Sequence, residues 1–130
     1  MSQKMKAKQL NKATRMKVYN KYDGHCAYCG CPLEFSEMQV DHLIPLYWAE
    51  ELVGKATVEE VLDFKNLMPS CRACNFYKGT SHIDQLRHQL ETLPQRLEGQ
   101  FGYKLAKKYG IITESKQPIK FYFEQVEGEK

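Results

Sequence analysis

Cys26-Ala27-Tyr28-Cys29, then Val40-Asp41-His42-Leu43-Ile44-Pro45-Leu46, then Asn66-Leu67, then Cys71-Arg72-Ala73-Cys74-Asn75-Phe76-Tyr77-Lys78-Gly79: these four segments, in this order, set the architecture of the chain. A single Cys-x-x-Cys pair suits a redox couple as well as a zinc knuckle. Two pairs supply four thiolates, the number that closes the tetrahedral shell of a structural Zn²⁺, so Cys26, Cys29, Cys71 and Cys74 are the expected ligands of one zinc ion. The 41 residues between Cys29 and Cys71 far exceed the roughly 15 to 20 of a simple zinc ribbon. A folded element is therefore expected between the knuckles.

At 130 residues the chain fits the size of one domain, with a modest core that a metal staple would reinforce. No stretch approaches the roughly 18 apolar residues of a membrane span, and the N-terminal residues hold no apolar secretory segment. A cytoplasmic, reducing location is the expectation, with no membrane partner. There, five cysteines favour metal binding over disulfides, and Cys31 is left as a spare thiol beside the knuckle. Net charge is only +3, but Met1 to Tyr22 carries seven Lys or Arg residues and no acid. Such an arm suits phosphate and equally suits a solvated terminus.

Residues 1–12 are expected to be a disordered basic arm, 13–80 the functional core, and 81–130 a helical extension and C-terminal strand packed on that core as one domain. Met16, Tyr19 and Tyr22 mark a short helix from Thr14 to Tyr22, ended by Asp23-Gly24. Met38 to Leu46 reads as a strand interrupted by Pro45, and Leu67 with Met68 as a return strand before Pro69 and Ser70. Thr57 caps a helix over Val58 to Asp63. A helix opening at Ser70 or Cys71 carries Cys74, Asn75 and Lys78 to Gly79. Ser81 caps an amphipathic helix through Ile83, Leu86, Leu90 and Leu93, which Pro94 kinks or ends. A basic helix runs from Tyr103 to Tyr109, and alternation over Ile119 to Phe123 predicts a strand on the flank of the knuckle or a sheet edge.

The segment from Thr14 to Gly79 resembles the HNH endonucleases, in the joint order of Tyr-Cys-Gly, Asp-His-x-Ile-Pro-Leu, Asn-Leu and Cys-x-x-Cys-Asn-x-x-Lys-Gly. The resemblance implies an α+β fold: a small ββα-metal core stapled by the four-cysteine zinc site, with flanking helices. It implies hydrolysis of DNA phosphodiester bonds to 5′-phosphate and 3′-hydroxyl ends. His42 matches the general base, Asn66 the middle asparagine, and Asp41 the metal-binding carboxylate. Asn75 stands where the second histidine usually lies. Oxygen donors from Asp41 and Asn75 suit Mg²⁺ or Mn²⁺ as the catalytic ion rather than a softer metal.

The chemistry of the residues agrees with these roles. A neutral imidazole accepts a proton from water near physiological pH. Asn66 is expected to hold the loop after the first strand by side-chain hydrogen bonds, orienting His42. Lys78, one helical turn beyond Asn75, and Arg72 are candidates for phosphate contact. Alternation along a strand, however, sends Asp41 and His42 to opposite faces unless the strand end is distorted or their roles differ. Two other classes remain open at this level: a zinc-knuckle nucleic-acid-binding module without turnover, and a thiol oxidoreductase. Monomer and homodimer are both compatible with the sequence.

Overall fold

A computed structural model of the chain describes residues 10–49, 54–115 and 117–128. Most of the expected N-terminal arm, and the acidic Glu50 and Glu51, lie outside the described residues. The chain divides into two compact units, Met1–Ile83 with Lys120–Lys130, and Asp84–Ile119.

In the first unit, helix α1 spans Lys12–Asn20 and starts where the Asn11 side chain accepts from the Thr14 N–H at 2.8 Å. Lys12 is thus helical rather than part of an arm. The helix stops at Asp23 and Gly24, both at positive φ. A Cβ at Gly24 would lie 2.9 Å from the Tyr19 hydroxyl oxygen, so only glycine fits this turn. Val18, fully buried, packs with Met38 and Leu67 and is rimmed by Tyr19, Leu33, Phe35 and Val40. Two cations of the basic stretch are committed to the fold. Arg15 donates to the Met38 carbonyl at 3.0 Å, and the Lys21 ammonium caps the carbonyls of Phe64, Lys65 and Leu67. They are not available as phosphate contacts.

Strand β1, Gln39–His42, pairs antiparallel with β2, Leu67–Ser70, in the register Val40 to Pro69, Asp41 to Met68 and His42 to Leu67. β1 is shorter than the expected strand because the chain leaves the ladder at Leu43, where Asn66 takes hold of the next residue. β2 runs through Pro69 and Ser70. Proline is tolerated because the two-stranded sheet leaves it an edge, and its carbonyl accepts from the Ala27 N–H at 2.8 Å. Between the strands lies α2, Val58–Leu62, opened by a capping box of Thr57 and Glu60. After β2, the Cys71 sulfur accepts from the Cys74 N–H and opens α3, Arg72–Lys78, which Gly79 ends at positive φ.

The second unit holds most of α4, Ile83–Glu91, with α5, Leu93–Leu97, and α6, Phe101–Lys108. Pro94 sits in the first turn of α5, so the proline opens a new helix as much as it ends the old one. Lys107 of α6 pairs with Glu98 and Glu114 at 2.8 and 3.0 Å.

The expected C-terminal strand is absent: Tyr122–Gly128 is a helix, α7, belonging to the first unit. The alternation of Phe121 and Phe123 reflects burial of both rings edge-on against Tyr28, at 5.9 and 6.3 Å between centroids. Their stretch meets the knuckle by only two backbone bonds, from Tyr122 to Tyr28 and from Phe123 to Ala27. The Glu124 carboxylate then accepts from the Phe121 N–H at 2.9 Å, a helix-opening signal that the apolar alternation concealed. The flank of the knuckle is covered as expected, by a helix instead of a strand.

Candidate active site and metal centre

The four cysteines meet from two directions. Cys26 and Cys29 lie in the turn after α1, and Cys71 and Cys74 at the start of α3, with every sulfur within 4.8 Å of the others. Cys29 and Cys71 are 3.9 Å apart, close to the roughly 3.8 Å edge of a tetrahedron with 2.3 Å zinc–sulfur bonds. Cys26 is the buried member; the neighbouring Cys74 sulfur and the backbone of Cys71, Cys29 and Tyr28 draw its thiol well below its ordinary value against the opposing effect of burial, while Cys74 is pushed up beside it. The donor set and spacing fit a structural metal such as zinc. Cys31 stands beside the cluster, its thiol raised to about 12 by burial and the neighbouring Cys29 and Cys71 sulfurs, and its carbonyl accepts from Cys26 N–H at 2.8 Å.

On the sheet, strand alternation holds to the end of β1. Asp41 turns inward, 8% exposed, and His42 to the half-buried side. Asp41 Oδ2 accepts a 2.5 Å hydrogen bond from the Tyr28 hydroxyl and a 2.9 Å ion pair from Lys78. The ammonium of Lys78 also donates to the His42 carbonyl at 3.0 Å. Lys78 is 1% exposed. The expectation of a solvent-facing lysine reaching phosphate is therefore corrected: the helix geometry was read correctly, but that face of α3 packs on β1. The Tyr28 hydroxyl ties the knuckle to the acid beside His42. A tyrosine between two metal-binding cysteines carries no sequence signal for that bond, because its partner is 13 residues away.

The imidazole of His42 makes no hydrogen bond to another described residue. Burial holds it below its ordinary value, the Asp41 carboxylate opposes, and the Lys78 ammonium adds to the lowering. The net lowering favours a neutral ring, able to accept a proton, near pH 7. Asn66, 5% exposed, is fully engaged: its side-chain carbonyl accepts from the Ile44 N–H at 2.6 Å, and its amide donates to the carbonyls of Ile44 and Val61 at 3.0 and 2.8 Å. These are the side-chain hydrogen bonds to the loop that the sequence led one to expect of Asn66. Asn66→Ala strands several buried polar groups, each worth about 1 to 3 kcal/mol. Urea unfolding should show a loss of at least about 2 kcal/mol; a loss within experimental error would remove this role.

Asn75, half-buried and one turn before Lys78, shares the side of α3 that meets β1, and its side chain bonds no other described residue. Asp41 Oδ1 is likewise without a hydrogen-bond partner among them. These two oxygens are hard donors available to a divalent cation. Arg72 is exposed in the first turn of α3 and borders a cavity of about 450 Å³ shared with Glu34, Glu37, Gln39 and Cys31. That cavity includes none of His42, Asp41 or Asn75. His25 stacks on Tyr122 and His82 on Trp48, so both are packing residues.

Residues 26–81 match the family described as HNH endonuclease. A stretch of 57 residues is 39% identical to Septu protein PtuB of Bacillus thuringiensis, covering 42% of this chain and 19% of that protein. The chain thus spans about a fifth of that relative's length. No helix among the described residues is long and apolar enough to cross a membrane.

Proposed function

We propose that this chain, in which residues 26–81 form an HNH endonuclease family domain, is a metal-dependent endonuclease that hydrolyses DNA phosphodiester bonds. The observation that carries the reading is the His42 ring. It sits at the end of β1, is favoured neutral by its surroundings and has no competing hydrogen bond among the described residues, on a strand–helix frame closed by four cysteines. His42 takes the proton of an attacking water as general base. Asp41, through Oδ1, and the Asn75 side-chain oxygen would hold Mg²⁺ or Mn²⁺. Such a cation supplies positive charge where the phosphoryl and leaving oxygens become more negative. Asn66 fixes the loop beyond His42, and Lys78 fixes the His42 backbone by its carbonyl. Arg72 is the remaining side-chain candidate for phosphate. The products are a 5′-phosphate and a 3′-hydroxyl.

The zinc held by the cysteines takes no part in the chemistry, since four thiolates leave it no open position. The test is conversion of supercoiled plasmid in Mg²⁺ or Mn²⁺ by the wild type and by His42→Ala. Loss of the base should slow cleavage roughly 10² to 10⁴-fold. Equal rates in the two proteins would take His42 out of the mechanism.

One observation favours a second reading, a zinc-knuckle nucleic-acid-binding module without turnover: the Lys78 ammonium already neutralises Asp41. That reading requires DNA binding with no nicking in any divalent ion, and metal-dependent nicking lost in His42→Ala would discard it.

A further inference from the structure

Helix α6 presents to solvent the spacing that helices ordinarily bury. Phe101, Lys104, Leu105, Lys108 and Tyr109 fall at i, i+3, i+4, i+7 and i+8, one continuous face. All five are exposed, Phe101 and Tyr109 at 76% each. Tyr103, Ala106 and Lys107, on the other side, are the partly buried ones, and there Glu114 bonds Tyr103 while Glu98 and Glu114 pair with Lys107. The charges are thereby sorted. Lys107 is neutralised, whereas Lys104 and Lys108 have no acidic partner among the described residues, and no acid lies on the exposed face. Phe101 and Tyr109 stand eight positions apart, roughly 12 Å along the axis.

We infer that this face of α6 binds single-stranded nucleic acid, with bases stacking on Phe101 and Tyr109 and phosphates meeting Lys104 and Lys108. Two aromatic rings flanking two ammonium groups that have no acidic partner among the described residues provide the two contacts that a flexible strand offers at once, a π-face and a backbone charge. A duplex hides its base faces and could use only the lysines. A purely apolar protein partner would leave both ammonium groups facing apolar surface without counter-charge, which is costly. The face lies outside residues 26–81, in the second unit, and shares no residue with the His42 site. The inference rests on the nuclease reading for the class of ligand.

Fluorescence anisotropy with a labelled oligothymidylate of about 15 nucleotides, on zinc-loaded full-length protein without Mg²⁺ or Mn²⁺, tests it. Phe101→Ala/Tyr109→Ala should weaken oligothymidylate binding about tenfold or more and leave a duplex of equal length within about twofold. Lys104→Gln/Lys108→Gln should reduce the slope of log affinity against log salt by about 1.4, from two phosphates at about 0.7 each. Circular dichroism checks that helicity is kept; should the aromatic variant lose it, the lysine variant decides, and an unchanged slope overturns the inference. Unchanged oligothymidylate affinity in the aromatic variant overturns it too, as does an equal loss on duplex. So does sedimentation showing that the aromatic substitutions abolish self-association while strand binding persists, which would make the face a contact between copies. Strand binding without plasmid cleavage would instead reject the proposed catalysis and leave this face standing.

Discussion

Stripping the metal from the four-cysteine cluster, by chelation or by Cys74→Ser, is expected to unfold the unit that holds His42. The cluster joins the turn after α1 to the first turn of α3, two segments more than 40 positions apart in the chain. Among the described residues the other links between these halves are the Ala27 to Pro69 backbone bond, the Lys21 ammonium on the carbonyls before and in β2, the small cluster around Val18, and the Tyr28–Asp41–Lys78 network. A structural zinc contributes roughly 10 to 16 kcal/mol of folding free energy in small zinc domains, comparable with or above the roughly 5 to 15 kcal/mol net stability of a whole protein. Chelation should therefore release one zinc per chain with loss of near-ultraviolet circular dichroism, and zinc should restore both. Cys31→Ser should keep the metal. A native mass spectrum with no zinc and a disulfide in its place would sink the staple and revive the oxidoreductase class.

Lys78→Met is expected to be the most damaging single change away from the cysteines. It leaves the Asp41 carboxylate buried beside Tyr28 with its counter-ion gone, and removes the donor to the His42 carbonyl. Breaking one side of such a buried pair costs about 3 to 5 kcal/mol, most of it the unpaired charge rather than the attraction. In thermal unfolding this corresponds to a fall on the order of 10 °C. The double substitution Lys78→Met/Asp41→Asn removes both charges and should recover most of the loss, since the asparagine oxygen still accepts from Tyr28. Additive losses in the double variant would show that the pair is not coupled. The same double variant should stay inactive if Asp41 holds the catalytic cation, separating the stability role of the pair from the chemistry.

The parts of the fold that were legible in the sequence are those encoded by neighbours in the chain. Thr57 opening α2 and Gly79 ending α3 act within one helical turn, so their residue types alone locate those ends, whereas the start of α3 was placed only to Ser70 or Cys71 and the structure gives Cys71. The cysteine spacing named the four sulfurs that meet, because few other arrangements satisfy four thiols. The hold of Asn66 on the loop was expected from its place in the HNH-like pattern; taken alone the residue reads as a turn asparagine, and only the structure shows its amide buried and bonded on both sides. The C-terminal segment misled, because two alternating phenylalanines look the same whether they line a strand or wedge against Tyr28 before a helix begins.

What the sequence determined by itself, then, is the meeting of the four cysteines, the strand–strand–helix order around His42, and the Thr57 and Gly79 ends of two helices. Tertiary structure alone decided where charge goes. Lys78 turns into the sheet to meet an acid 37 positions earlier, Tyr28 reaches from the knuckle to the same acid, and Arg15 and Lys21 close on distant carbonyls. A charged side chain reads as solvent-facing in any local window. Only the packing that removes water from it, and supplies a partner across the fold, makes it structural.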